Sequence, residues 1–83
     1  MAFRVLFGTI APGTRQDWFF FFSGNGDRGA QYFLPHPLNP SGRLFCERIG
    51  KELGSDGIWR YHTTVFNQGP LTVSFNWDGG GVT

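Results

Sequence analysis

The run of aromatic residues from Trp18 to Phe22 constrains the fold more than any other stretch of this sequence. Side chains alternate between the two faces of a strand, so a strand at residues 17–23 would carry rings on both faces. Trp18 would point to one face, whereas Phe19 and Phe21 would point to the other. Such a strand is apolar on both sides. In a chain of this size, one short helix would bury only one of these two faces. The other apolar face must therefore be buried by something else.

The composition limits what that cover can be. The chain has 83 residues, among them ten Phe, three Trp and two Tyr, and a chain of this length builds a single hydrophobic core. Cys46 is the only cysteine, which excludes an intramolecular disulfide, and with two histidines we expect neither a structural metal nor a cofactor. With a disulfide and a metal excluded, self-association is the remaining way to stabilise so small a domain. We therefore predict a homo-oligomer whose interface includes Trp18, Phe19 and Phe21.

Charge and hydropathy argue against two classes of partner. The net charge of +1 is too small for the basic field of a duplex-DNA binder, and nucleic acid is not the partner we expect. No apolar stretch approaches the roughly 18 residues that span a bilayer, and the N-terminal segment lacks the uninterrupted apolar core of a signal peptide. These features, together with one unpaired thiol, predict a cytoplasmic protein without a membrane segment.

Alternating apolar residues and turn signals predict most of the secondary structure. Asn25-Gly26 lies between two aromatic runs and is typical of a hairpin, and residues 67–70 would connect a second hairpin. Residues 79–83 lack periodicity and are expected to be a loose tail of a single domain spanning residues 1–83. The predicted strands are residues 2–10, 17–23, 30–34, 58–66 and 71–77.

Residues 41–54 are predicted to form the only helix. Ser41 would cap its start, Gly54 would follow its end, and four apolar side chains would share one stripe, at Phe45, Cys46, Ile49 and Leu53. The preceding PHPLNP segment has three prolines in six residues and is expected to be an ordered loop. The predicted fold is α+β: a five-stranded, mostly antiparallel, twisted sheet in the order β-β-β-α-β-β, with the helix packed on one face.

The segment GNGDRG, residues 24–29, matches the G-x-G-x-x-G pattern of dinucleotide-binding loops. That pattern requires a strand before the loop and a helix directly after it, because the helix N-terminus binds the pyrophosphate. Here an aromatic, strand-like segment with two prolines follows. We therefore interpret the segment as a hairpin loop without nucleotide affinity, in which Asp27 and Arg28 are exposed charges.

The last two predicted strands suggest a ligand site. Placing Val65 opposite Leu71 would gather the apolar residues on one face. The other residues of this face would be Trp59, Tyr61, Phe75 and Trp77. The other face would then be polar, with Arg60 beside Asn76 and His62 beside Ser74. These four side chains would suit a small anionic or polyhydroxylated ligand, and the competing interpretation is an ordinary solvated sheet face. Cys46 is interpreted as a core residue and His36 as a loop residue that could serve a site.

Taken together, these features predict a non-catalytic, homo-oligomeric binding or interaction module, assembled through an aromatic sheet face, with a cleft for a small ligand. The alternative from another class is a small acid-base or hydrolytic enzyme that uses His62 with a carboxylate such as Asp78. A third hypothesis is binding of single-stranded nucleic acid by arginine and tryptophan side chains.

Overall fold

The computed structural model describes residues 2–22, 24 and 26–81, and this part of the chain forms six strands and no helix. Each of the five predicted strands overlaps an observed one, and the sixth strand occupies the segment predicted to be helical. The strands are β1 (Ala2–Ile10), β2 (Arg15–Phe20), β3 (Gln31–Pro37), β4 (Leu44–Leu53), β5 (Trp59–Asn67) and β6 (Val73–Gly81).

The strands form two three-stranded antiparallel sheets that pack face to face. The first sheet has the order β1-β6-β3 and the second has the order β2-β5-β4. The α+β prediction of one five-stranded sheet covered by a helix is therefore wrong. Each sheet covers the inner face of the other, as in all-β sandwiches.

The predicted helix at residues 41–54 is instead β4, and a β-bulge explains the error. The pairing of β4 with β5 shifts register between Cys46 and Arg48, so Glu47 is an extra residue in the ladder. The bulge puts Cys46 and Ile49, three residues apart, on the same face of the strand. Spacings of three and four residues are also the signature of an amphipathic helix, so the bulged strand imitates one. Ser41 has a φ of 66° in the turn before the strand and caps no helix.

Both predicted hairpins are also wrong, because their strands belong to different sheets. The strands β2 and β3 flank the GNGDRG segment, and β5 and β6 flank residues 68–72, yet neither pair is hydrogen-bonded. In both cases the chain crosses from one sheet to the other. The consecutive pair β4 and β5 does form a hairpin, closed by the Gly54 amide, which donates to the Ile58 carbonyl at 3.0 Å.

The core lies between the two central strands and is largely aromatic. Phe20 of β2 stacks on Phe33 of β3 with ring centroids 4.4 Å apart. Trp77 of β6 makes edge-to-face contacts with Trp18 and Phe20 of the opposite sheet. Because side chains alternate along each strand, every second side chain points into the space between the sheets. The buried hydrophobic residues are Ile10, Phe20, Phe33, Tyr61, Val65, Val73, Phe75 and Trp77.

Asn67 is a fully buried polar residue that joins three connections of the sandwich. Its side-chain amide donates to the carbonyl oxygens of Ile10 and Leu71 at 3.0 and 2.7 Å, and its side-chain oxygen accepts from the Gly69 amide at 3.0 Å. Its backbone pairs with Gly13 and with Thr14. These bonds satisfy the buried amide and fix the β1–β2 turn against the end of β5.

Two further predictions about loops are corrected. The first half of the proline-rich segment is not a loop, because Pro35, His36 and Pro37 belong to β3. Since β3 is an edge strand, its prolines need no ladder donors on the open side. Residues 79–81 are not a loose tail, because they continue β6 and pair with both β1 and β3. Val82 and Thr83 lie outside the described residues.

Candidate functional site

The four residues predicted to bind a ligand do not share one face. Arg60 and His62 alternate with buried residues of β5 and therefore lie on the outer face of the second sheet. Ser74 and Asn76 alternate with buried residues of β6 and lie on the outer face of the first sheet. The two pairs are on opposite outer surfaces, because β5 and β6 face each other across the core instead of pairing edge to edge.

His62 contacts a carboxylate, but not the one predicted. Its Nε2 lies 2.8 Å from Oε1 of Glu52 on the neighbouring β4, and its ring centroid lies 6.1 Å from that of Phe19. Asp78 belongs to β6 in the other sheet. The His62 and Glu52 side chains are 42% and 52% exposed. Their exposure on an open sheet face favours an ordinary surface contact over an acid-base site, where water is normally excluded.

The Arg60 guanidinium is hydrogen-bonded to the turn that connects β4 to β5. Its Nη1 and Nη2 donate to the two carboxylate oxygens of Asp56 at 3.2 and 2.8 Å. The hydrogen bond from Arg60, supported by one from the Ile58 amide, lowers the pKa of Asp56 to about 2. The same contact raises the pKa of Arg60. The side chain that was predicted to bind a ligand therefore closes a turn.

The GNGDRG segment leads into β3 and not into a helix, so the structural requirement of a dinucleotide site is missing in the described part of the loop. Asn25 of the predicted turn lies outside the described residues. The Tyr61 hydroxyl accepts a hydrogen bond from the Arg28 amide at 2.9 Å and lies 2.9 Å from the Gly29 carbonyl. The loop is therefore fastened to β5 of the opposite sheet.

Asp27 forms a small polar cluster beside this loop. Its Oδ1 accepts from Lys51 Nζ at 2.8 Å and from the Gly29 amide at 2.8 Å. The hydrogen bond with Lys51 lowers the pKa of Asp27 and raises that of Lys51. An open cavity of about 370 Å³ adjoins the cluster; its lining residues are Gly29, Ala30, Gln31, Ile49, Gly50, Lys51 and Tyr61. Sequence reasoning treated Asp27 as a free loop charge, because its partner is 24 residues away on β4.

Cys46 packs toward the inside of the second sheet. Its Sγ lies 2.6 Å from Oγ1 of the buried Thr63. This contact is consistent with a structural thiol and offers no base to activate it. Within the described ranges, no group of three or more His, Cys, Asp or Glu side chains is arranged to hold a metal ion.

The predicted interface residues have different environments. Phe19 and Phe21 are 52% and 60% exposed, and their rings stack 6.4 Å apart. Trp18 instead points inward, packs on Phe75 and Trp77, and donates from its indole to Gln16 Oε1 at 3.1 Å. Of the three predicted interface residues, only Phe19 and Phe21 are therefore retained as interface candidates.

A second apolar segment lies next to Phe21 and was missed by sequence reasoning. The register of β1 shifts between Val5 and Gly8, and Leu6 has a φ of 63°, which is rare for a bulky residue. This bulge turns Leu6 and Phe7 outward, where they are 52% and 63% exposed. A simple alternation of strand side chains gives no signal for a bulge of this kind.

Leu6 and Phe21 line an apolar groove between the edges of the two sheets, where β1 and β2 lie on the same side of the sandwich. The groove, here called the edge groove, has a volume of about 400 Å³. The edge groove is lined by Phe3, Val5, Leu6, Phe20, Phe21 and Phe22, none of which is charged.

Comparison of the chain with protein-family models, curated proteins and solved structures found no match. Within the described ranges, no helix has the length and apolar character needed to cross a bilayer.

Proposed function

We propose that this chain is a non-catalytic interaction module that self-associates through the edge groove and the exposed rings beside it. The observation that carries the proposal is the grouping of large exposed apolar side chains on one edge of the sandwich. Monomeric proteins seldom expose contiguous apolar surface of this kind without an interaction partner. The side chains concerned are Val5, Leu6, Phe7, Phe19 and Phe21.

A second copy of the same chain is the partner that this surface fits best. An isologous dimer requires projecting groups and a recess to receive them within one patch. Leu6 and Phe21 are 52% and 60% exposed and also line the edge groove, so exposed side chains and a recess belong to one patch; Phe7 follows Leu6 in the chain and is 63% exposed. The lining carries no charge that would need a complementary partner. Aromatic residues with no charged residue among them are also the composition of interface centres.

The fold itself does not depend on this association. The accessible surface of 4908 Å² is close to the value of about 5,000 Å² expected for a folded monomer of this mass. The single chain therefore already buries as much surface as a typical small domain. Loss of the interface should leave a folded monomer, which makes the proposal testable by substitution.

Sedimentation equilibrium over a range of protein concentrations is the direct test. The wild-type chain should have a mass of at least twice 9.3 kDa. Phe21→Asp and Phe7→Asp should each give a monomer with an unchanged far-UV spectrum, because a carboxylate in the interface would be desolvated without a partner. A wild type that sediments as a monomer at all concentrations would refute the proposal.

Leu34→Asp is the matched control, since Leu34 is similarly exposed but lies on the outer face of the first sheet. This variant should remain an oligomer. If it dissociates as readily as Phe21→Asp, the association depends on general hydrophobicity and not on the edge groove.

The two alternative functions remain hypotheses with separate tests. An acid-base enzyme would have to use His62 with Glu52, and Glu52→Gln should then abolish a hydrolytic activity found by substrate screening. Single-stranded nucleic acid would have to stack on the exposed phenylalanines, and its affinity should fall steeply with salt.

A cytoplasmic location is also proposed, supported by the single unpaired Cys46.

A further inference from the structure

The outer face of the first sheet carries a polar row that the proposed self-association does not use. Ser74, Asn76 and Asp78 alternate along β6, the central strand. On one side, β1 places Arg4 opposite Asp78. On the other side, β3 places His36 opposite Asn76. Two of the four residues that the sequence assigned to a ligand, Ser74 and Asn76, therefore do belong to one polar surface, but with different neighbours.

Arg4 and Asp78 form the centre of this surface. The Arg4 Nε and Nη2 atoms donate to the two oxygens of Asp78 at 2.5 and 3.0 Å. The Nδ1 atom of His36 lies 3.8 Å from Asp78 Oδ2. The hydrogen bond with Arg4 lowers the pKa of Asp78, so the carboxylate stays ionised and the pair stays neutral overall near pH 7. Donors and acceptors thus lie side by side on rigid strands without a net charge.

Tyr32 supplies an aromatic surface next to this pair. It is 50% exposed and lies opposite Gly80, which in turn lies opposite Ala2 on β1. Because neither neighbour has a large side chain, the ring borders a shallow basin of about 480 Å³ that reaches Arg4 and Asp78. Within the described part of the chain, no other ring or cation packs on Tyr32.

The second sheet provides an internal comparison. Arg15 and Glu47 form a similar bidentate pair on its outer face, at 2.6 and 3.2 Å. There, however, the Arg15 guanidinium covers the ring of Phe66 at 4.0 Å from its centroid. The aromatic face at that pair is already occupied, whereas the ring of Tyr32 is open to a ligand.

We propose that Tyr32, Arg4 and Asp78, together with the basin that they line with Ala2 and Gly79, form a binding site for a neutral saccharide. The apolar C–H face of a pyranose ring can pack on an aromatic ring. Its adjacent hydroxyls, each a donor and an acceptor, match the remaining donors of Arg4 and acceptors of Asp78. A neutral ligand fits better than an anion, because Asp78 neutralises Arg4 and would repel an added negative charge.

The probes for this site are glucose, galactose, mannose and N-acetylglucosamine, and neutral oligosaccharides built from them. Each is titrated to about 10 mM into the ¹⁵N-labelled chain and followed by amide chemical shifts. At least one should shift the amides of Tyr32, Asp78, Gly79 and Gly80, with little dependence on salt. No shifts with any probe, or shifts confined to another surface, would overturn the proposal.

Substitutions at Tyr32 and Asp78, with one control variant, identify the groups that bind the saccharide. Tyr32→Ala and Asp78→Ala should each weaken binding at least about tenfold, whereas Tyr32→Phe should retain it because the ring and not the hydroxyl makes the contact. Arg15→Gln, in the comparable pair on the second sheet, should bind like the wild type. Tyr32 and Arg15 are exposed and Asp78 is partly exposed, so a native amide spectrum is expected throughout. Asp78→Asn replaces Asp78→Ala if that variant unfolds. Undiminished binding by Tyr32→Ala would also overturn the proposal.

Failure of this proposal is distinguishable from failure of self-association. Phe21→Asp should bind a monosaccharide with wild-type affinity per chain, since Phe21 lines the edge groove and does not line the basin. Its retention on a surface coated with the same sugar should be weaker, because a monomer lacks the avidity of paired sites. Loss of monosaccharide binding in Phe21→Asp would contradict the separation of the two surfaces.

Discussion

Phe20 and Phe33 stack across the core with their ring planes 7° from parallel, although their strands are consecutive in the chain and belong to different sheets. The segment between them therefore does not close a hairpin ladder. It carries the chain from one sheet to the other, and the two rings meet face to face because β2 and β3 each turn one side inward. The contact shows what buries one face of the aromatic run: the rings on that face pack against the opposite sheet and not against a helix.

The adjacent residues Phe33 and Leu34 test this arrangement. Phe33 is 1% exposed and Leu34 is 57% exposed. Phe33→Ala should reduce the free energy of unfolding by about 3–5 kcal/mol, because it leaves a cavity between the sheets. Leu34→Ala should change it by no more than about 0.5 kcal/mol. Urea denaturation of both variants measures the difference, and equal losses would contradict the assignment of inner and outer faces.

Removal of the buried amide of Asn67 should destabilise the fold. Asn67→Ala leaves the carbonyls of Ile10 and Leu71 without their donor. The Ile10 carbonyl is buried, and a buried unsatisfied group costs about 1–3 kcal/mol. Asn39 is the control, because it also accepts a backbone hydrogen bond, from Ser74, but is exposed. Thermal unfolding should show a much larger decrease in Tm for Asn67→Ala than for Asn39→Ala.

Two strand glycines should respond in opposite ways to alanine. A Cβ at Gly8 would lie 2.7 Å from the ring of the buried Phe75 and 2.8 Å from the ring of Trp18. Gly8→Ala should therefore cost about 1–3 kcal/mol of stability through overpacking. A Cβ at Gly50 would meet no atom within 4 Å. Gly50→Ala should be neutral or slightly stabilising, as measured by the same denaturation experiment.

The turn between β4 and β5 should have a distinctive pH dependence. The hydrogen bond from Arg60 lowers the pKa of Asp56 from 3.8 to about 2 in the folded chain. A lowered pKa in the folded state means that this carboxylate stabilises the fold above pH 4, and that the contribution is lost as the pH falls toward 2. The ¹³C resonance of the Asp56 carboxyl group reports its titration directly.

Arg60→Gln is the variant that tests the cause. It should move the Asp56 midpoint up toward 3.8, while Arg15→Gln, which breaks an ion pair elsewhere on the same sheet, should leave it unchanged. An Asp56 midpoint that is already close to 3.8 in the wild type would exclude the bidentate contact in solution.

The candidate sites were only partly accessible from sequence. Strand alternation put Phe19 and Phe21 on one face, and it put Ser74 and Asn76 on the face opposite to the buried residues of β6. It did not indicate that Trp18 is the ring that points inward. The neighbours of these residues did not follow from alternation either. Arg4 and Asp78 are 74 residues apart in the chain, and no local pattern indicates that β1 lies beside β6.

Local chemistry in the sequence determined where most strands are and which of their side chains are buried. Tyr61, Val65, Phe75 and Trp77 were expected to share an apolar face, and all four are buried. Leu71 was expected on the same face but is 50% exposed. This information is local, because alternation depends only on the geometry of an extended backbone.

The tertiary structure decided which strand pairs with which, and hence that β5 and β6 face each other across the core. Alternation is the same whether a turn joins two strands of one sheet or carries the chain to the opposite sheet, so sequence pattern does not distinguish the two connections. The bulge at Glu47 was hidden for a related reason. Its extra residue shows only in the pairing of β4 with β5. Without that pairing, the apolar spacing of residues 45–53 is that of a helix.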